Sequence, residues 1–327
     1  MNFEKIAPVD RGKQMVDIAF RKAREKGREK KLTGNHLQII RKKESLKIDI
    51  VKDILVSRLN KVIKDFPETE KLPVFYQDLI KLTLDYALFK KSFGALAWAE
   101  DKIRFFQKVY VRKINYETNV ARIKSAIGEF YGRAASVMKQ IDPQLDFLEH
   151  SRRIMKTYPD IKDMFTVCVY GFPNVGKTTL LNKITGTKAE VAAYAFTTKT
   201  INAGYFILNG EKIQVLDVPG ILGRDEKRNI IELQAELVLK ELANVIIFVF
   251  DVSEYCGYSL KKQEQLYKKL GKGKKILVYV SKLDLIEDIK EFDFKHRYYS
   301  VEELKEEILK AKEKYDREKI RADEIKG

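Results

Sequence analysis

Two unlike folds are expected along this chain of 327 residues: an all-α helical bundle over 1–160, then an α/β domain over 161–327. The second should carry a six-stranded mixed sheet with helices on both faces. Three observations lead there. Before residue 158 no stretch is β-rich, and apolar residues recur every three or four positions. After Pro159-Asp160, short β-branched runs alternate with helical stretches. Between the first such run and the next helix lies Gly171-Phe-Pro-Asn-Val-Gly-Lys-Thr178, with the G-x-x-x-x-G-K-[ST] spacing of a phosphate-binding loop.

Taken in order, Asp10 is placed to cap a basic helix over about 11–31 that carries Arg21, Lys22, Arg24 and Arg28, with Met15, Ile18 and Ala19 on its other side. A turn at Thr33-Gly34-Asn35 precedes a long helix with Val51, Leu55, Leu59, Val62 and Phe66 along one stripe. Pro67 and Pro73 break it, and Pro73 opens a helical pattern from Val74 to about Lys113, jointed near Leu84-Asp85. Further helices are expected from about Thr118 to Gln140 and from Pro143 to before Pro159. Phe93, Trp98, Phe105, Phe106 and Tyr110 lie at helical spacings, and are read as core rather than as a platform for stacking bases.

In the second half, strands are expected at about 165–170, 201–208, 212–217, 245–251, 275–280 and 296–300. Asn209-Gly210 joins the second and third as a hairpin. Helices fit at about 177–185, 230–242, 259–270 and 302–325, the last of them largely solvated.

Composition narrows the class. The apolar runs are far too short to cross a bilayer, no signal-peptide pattern opens the chain, and two cysteines make no disulfide framework. A soluble, intracellular protein without membrane partners is expected, with a monomer favoured. The net charge of +16 is uneven. Residues 1–160 hold 34 Lys and Arg against 21 Asp and Glu, while residues 161–327 hold 29 against 26. A basic helical half beside a near-neutral one suggests a polyanionic partner such as RNA, with Arg21, Lys22, Arg24 and Arg28 as the expected contacts. A solvated lysine-rich surface is the plainer alternative.

The chemistry gathers around the loop. Gly171 and Gly176 let the backbone curl so that successive N–H groups face one anion, with Phe172, Pro173, Asn174 and Val175 as the loop body. The helix start adds its positive dipole end, Lys177 a point charge and Thr178 a hydroxyl ligand for Mg2+, with Thr179 following. Ile213 to Gly220 reads as an apolar strand ending in Asp-x-x-Gly, where Asp217 can hold Mg2+ through water and the Gly220 N–H can meet a γ-phosphate. Ser281-Lys-Leu-Asp284 follows a strand and matches the base-reading [Asn/Thr]-Lys-x-Asp pattern. Asp284 can accept from guanine N1–H and the 2-amino group, a donor pair that adenine lacks, and the Lys282 stem can lie along the base. These residues point to GTP and GDP as ligands. In Tyr194-Ala-Phe196-Thr197-Thr198-Lys199, either threonine can close over Mg2+ when a γ-phosphate is present.

With these motifs in view, the sequence resembles the Obg-like GTPases and, within them, the nucleolar GTP-binding protein 1 (Nog-type) family. The resemblance extends to Arg228-Asn-Ile-Ile-Glu-Leu-Gln-Ala235 and to Asp251-Val-Ser-Glu-Tyr-Cys-Gly-Tyr258. In the helical half it covers Phe75-Tyr-Gln-Asp-Leu79, Tyr110-Val-Arg-Lys113 and the run from Gly132 to Leu148. It implies a Ras-like G domain behind a helical domain, and a GTP-hydrolysing role in large ribosomal subunit assembly with the helices against ribosomal RNA. It implies Thr198 as the Mg2+ ligand from the switch, Lys177, Thr198 and Gly220 as the catalytic set, and Ser300-Val301 where a backbone N–H meets guanine O6. An asparagine at the place of Asn174 is shared with potassium-activated GTPases, so K+ is a candidate second ion.

Three departures stand out. Val218 replaces the usual threonine, a harmless change. Ser281 replaces asparagine, which should loosen the base loop and lower guanine affinity. The chain ends after the G domain where eukaryotic members continue, which favours a short archaeal-type, cytoplasmic version. The position directly after Asp-x-x-Gly, a glutamine in Ras, is Ile221. Slow intrinsic hydrolysis stimulated by a ribosomal particle is therefore expected, with a slow or non-hydrolysing GTP-sensing scaffold as the competing class.

Overall fold

A computed structural model of the protein describes residues 3–29, 33–185, 190–196, 199–218, 230–270, 273–286 and 294–324. The chain forms two compact units. One joins Asn2–Lys71 to Leu84–Lys156, and the other joins Leu72–Thr83 to Thr157–Gly327. The short segment Leu72–Thr83 of the helical half thus belongs with the sheet.

The helices of the first half are α1 (Gly12–Glu29), α2 (His36–Asp65), α3 (Val74–Thr83), α4 (Tyr86–Tyr116), α5 (Val120–Gln140) and α6 (Asp142–Met155). All but α3 build the helical unit. Its core joins Ile48, Leu55 and Leu59 of α2 to Phe89, Leu96 and Ile103 of α4, Phe130 of α5, and Leu145 and Leu148 of α6. Short polar side chains start these helices as expected of caps. The Asn35 side chain accepts from the Gln38 N–H while Gln38 returns a bond to the Asn35 N–H. Asp85 and Asn119 accept likewise at the starts of α4 and α5.

Helix α1 departs from its expected cap. Asp10 pairs with Arg58, while the Gly12 N–H donates 2.8 Å to Asp142 of α6. The cause is close packing: a Cβ on Gly12 would lie 2.6 Å from the Met138 carbonyl oxygen, so the junction of α5 and α6 sets the start of α1. A second correction concerns the aromatics of α4. Tyr110 is buried and Phe93 and Phe106 are half-buried, but Trp98 and Phe105 point to solvent. Spacing places a residue on a stripe without saying which of a helix's stripes finds a partner.

The other unit holds the strands β1 (Thr166–Tyr170), β2 (Glu190–Phe196), β3 (Lys199–Leu208), β4 (Glu211–Asp217), β5 (Val245–Phe250) and β6 (Lys275–Val280). They form one six-stranded sheet in the order β2-β3-β4-β1-β5-β6. β2, β3 and β4 pair antiparallel; β4, β1, β5 and β6 pair parallel. β1 and β5 are buried along their whole length, as parallel strands covered on both faces must be. Helices α7 (Lys177–Thr185), α8 (Ile230–Glu241), α9 (Leu260–Lys268) and α10 (Val301–Glu324) complete the unit. α3 packs against α8, burying Phe75, Tyr76, Leu79 and Ile80. The Tyr76 hydroxyl donates to the Pro159 carbonyl at 2.7 Å and accepts from the Ile161 N–H at 3.0 Å.

Six strands are present, but they are not the six expected. The residues of β2 read as loop in the sequence, because alanines carry weak strand preference. The segment is drawn into the sheet by a seven-residue antiparallel register with β3. The segment 296–300 forms no strand. One backbone bond, from the Tyr299 N–H to the Val278 carbonyl at 3.0 Å, lays it beside β6 before Ser300 turns into α10.

Candidate nucleotide site

The site forms where β1 ends and α7 begins. Gly171 holds φ at +152°, and a Cβ there would meet the Val249 carbonyl oxygen at 2.7 Å, so a larger residue cannot stand at the turn. Asn174 takes a left-handed φ of +61°, tolerated by its short amide, and Gly176 one of +93°. Val175 is buried and anchors the loop from below, while Asn174, Thr178 and Thr179 face outward and Pro173 is half-buried. Phe172 is buried and stacks on Tyr258 with ring centroids 4.3 Å apart.

The Lys177 ammonium donates to the Gly171 and Phe172 carbonyls at 3.2 and 2.8 Å, so it lies across the loop. The Thr178 hydroxyl donates to Asp217 at 3.0 Å. Parallel pairing of Val169 with Asp217 brings this carboxylate to the loop from β4. Two hard oxygen donors thus converge beside the loop, from residues 39 positions apart, which fits a magnesium ion carried in with a nucleoside triphosphate. Thr197, Thr198, Gly220 and Ile221 lie outside the described residues, so the switch threonine, the γ-phosphate N–H and the water-positioning place carry no geometry here. Phe196 closes β2 in register with Lys199.

The segment 281–284, expected to read the base, lies against the same loop. A Cβ on Gly176 would sit 3.4 Å from the Ser281 Cβ. Ser281 is buried, and its N–H and hydroxyl both donate to the Phe250 carbonyl, at 2.9 and 3.1 Å. The serine that stands for asparagine is therefore anchored to the end of β5. Asp284 sits exposed in a one-turn 3-10 helix over Leu283–Leu285, available to a base. Ser300 caps the helix that follows it. Its hydroxyl accepts from the Glu303 N–H, while its own N–H donates to Glu303 at 2.7 Å, making it the cap of α10. Val301 is the first residue of that helix.

Sequence reasoning missed what holds the base segment. Asp251, fully buried at the end of β5, accepts from the Lys282 ammonium at 2.7 Å, and Lys282 is itself at φ +55°. Ser253 and the Cys256 N–H also donate to this carboxylate. Burial pushes the Asp251 carboxyl up, and the bonds from Lys282, Ser253 and Cys256 outweigh it, leaving the group below its ordinary range. Gln263 ties the segment to α9, accepting from the Asp251 N–H at 2.9 Å and donating to the Asp251 and Tyr258 carbonyls. The available signal was the run Asp251 to Tyr258, which a phosphate loop alone does not require.

Of the expected RNA contacts, Arg21, Lys22, Arg24 and Arg28 are all exposed on α1. At 100° per residue the three arginines share one face, and Lys22 stands roughly 100° round from Arg21. Lys22 and Lys26 instead line a 360 Å3 depression with Glu25, Glu29 and Asp53, a mixed rather than basic setting.

Comparison with known proteins divides the chain between residues 162 and 166. The NOG1 N-terminal helical domain matches residues 3–162, and the 50S ribosome-binding GTPase domain matches residues 166–282. The Methanocaldococcus jannaschii protein MJ1408 is 41% identical over 248 residues, covering 75% of this chain and 70% of that protein. Nucleolar GTP-binding protein 1 of Drosophila melanogaster is 34% identical over 297 residues, and that of Arabidopsis thaliana 33% over 316. The alignments cover 89% and 94% of this chain but 46% of each of those proteins, so the chain spans about half their length.

Proposed function

The chain belongs to the nucleolar GTP-binding protein 1 family of GTPases, and from that premise we propose a GTP-hydrolysing switch in large ribosomal subunit assembly that holds ribosomal RNA through its helical half. The observation that carries the switch is the Thr178–Asp217 bond beside a loop that Ser281 also touches. The residues assigned to phosphate, metal and base stand at the carboxyl ends of the parallel strands β1, β4 and β6. A bound magnesium ion would neutralise charge on the β- and γ-phosphates. Around it, the 171–176 backbone and Lys177 bind and orient the phosphates, Thr178 and Asp217 supply the oxygen donors, and Asp284 selects guanine. Thr198 and the Gly220 N–H are assigned to sensing the γ-phosphate.

The name of the family matched over 166–282 and the basic charge of residues 1–160 support a ribosomal RNA partner. No described helix is long and apolar enough to cross a membrane, and a cytoplasmic site of action is part of the proposal. One observation favours the competing scaffold reading: Ile221 offers no hydrogen bond to an attacking water. Single-turnover hydrolysis decides between them. The switch reading expects slow turnover alone and an increase of about a hundredfold or more with large-subunit precursors. Unchanged turnover with the particle leaves the scaffold. The same assay in KCl and NaCl at equal ionic strength tests Asn174 as a potassium ligand, and equal rates reduce it to a loop residue.

A further inference from the structure

Helix α4 carries a second apolar stripe that the fold leaves uncovered. Its inner face buries Phe89, Leu96, Ala99, Ile103, Tyr110 and Ile114. On the outer face, Trp98 is 40% exposed, Phe105 57%, Val109 42% and Tyr116 79%. With Lys102 and Arg112 these positions alternate by four and three residues from 98 to 116. At 100° per residue all six fall within about 40° of one line, over a length of about 27 Å. This is the spacing of a seam made for another helix. Lys91, Lys102, Lys108 and Arg112 stand exposed along it and form no ion pair among the described residues, whereas nearby Lys90, Arg104 and Lys113 are all paired. Asp101 is the acidic residue exposed beside them.

We propose that this outer face of α4 is a docking seam for an acidic amphipathic helix of a partner protein. The charge selects that occupant. Both polar positions inside the seam, Lys102 and Arg112, are cations. A second copy of the chain packed antiparallel about residue 107 would set Lys102 against Arg112, and a parallel pair would set each cation against itself. Glutamates flanking a partner's apolar stripe neutralise them instead. The spacing argues against a strand of bases. Trp98 and Phe105 are about 10 Å apart along the axis and Phe105 and Tyr116 about 16 Å, against about 3.4 Å between stacked bases. Val109 between them offers no ring to stack on. A heptad repeat meets the same positions turn for turn. The seam is independent of the nucleotide site and of the RNA reading.

Trp98 is the single tryptophan of the chain, so its emission reports on the seam directly. The probe is a synthetic peptide of about 21 residues with leucine at the heptad core positions, glutamate beside them and no aromatic residue. Titrated into the full chain, it should shift Trp98 emission to the blue and saturate. Phe105→Ser or Val109→Ser should weaken binding about tenfold or more, and a peptide with glutamine for glutamate should bind about tenfold more weakly. Both substituted residues are exposed, and an unchanged melting curve verifies that the variants fold. No shift with the peptide overturns the proposal. Quenching by single-stranded oligouridylate that Phe105→Ser abolishes, without a peptide effect, makes the face a nucleic-acid surface. Concentration-dependent dimerisation that Phe105→Ser abolishes makes it a self-interface.

Discussion

Asp251 shows how a buried charge sets an exposed one. Its carboxylate has no solvent of its own, so the Lys282 ammonium at 2.7 Å is the counter-charge that lets it stay ionised. In return the bond fixes Lys282 in a left-handed backbone that a lysine rarely adopts, and so aims the turn carrying Asp284. Asp251→Asn should weaken GDP binding about tenfold, the range of one charge-assisted bond, and reduce the preference for guanine over adenine nucleotides. Calorimetric titration measures both. Lys282→Met should give a similar loss, and the double variant little more; additive losses would mean that the two residues act separately. A different carboxylate governs acid stability. Glu149 of α6 receives Arg152, Arg153 and the Val9 N–H, and Arg152 above all holds its carboxyl down at about 2. A lowered pKa stabilises the folded state fully above the ordinary value near 4.5, and that part is lost as pH falls from 4.5 towards 2. Up to about 3 kcal/mol is involved. Glu149→Gln should lower stability at pH 7 and flatten its dependence on pH within that window, as followed by chemical denaturation.

At the scale of elements, what the sequence disclosed depended on whether the signal was local. Caps and turns are local, and Asn35, Asp85, Asn119 and the Asn209-Gly210 hairpin stand where residue chemistry puts them. The phosphate loop is local too, and its positive φ angles at 171, 174 and 176 follow from its residue types. Pairing across the chain is not. The alanine-bearing β2 becomes a strand because β3 offers an open edge, and Tyr298-Tyr299 stays outside the ladder despite its strand-like residues. α3 was legible as a helix, but its four buried residues carry no label saying that α8 would cover them. The same blindness left Trp98 and Phe105 in the expected core: a helix with two apolar stripes looks, in one dimension, like a helix with one broad one. Asp251 was missed because its role needs Lys282, 31 positions along the chain, to return to it.

For the whole molecule the central question is what the basic half contacts. Of the net charge of +16, residues 1–160 supply +13, and part of the cations in that half are already paired. Lys47, Lys90, Arg104, Lys113, Arg152 and Arg153 are each held by a carboxylate, and Lys22 and Lys26 share a depression with three acids. The net charge already subtracts those carboxylates but does not say where the excess cations stand, so the face of α1 with Arg21, Arg24 and Arg28 is the more discriminating test. On that face, among the described residues, only Arg21 has an acidic partner, Glu25 at 4.0 Å, a separation at which an exposed pair contributes little. Replacing the three arginines by glutamine should weaken ribosomal RNA binding and flatten its logarithmic salt slope by about two to three units, one for each phosphate no longer neutralised. GDP affinity should not change, because the nucleotide-site residues belong to the other unit. Lys22→Gln alone should have the smaller effect, since acidic neighbours already shield it. Filter binding across a salt series reads all of these slopes. If the triple variant keeps the parent slope, α1 is a solvated face and the RNA contact must be sought elsewhere on the helical unit.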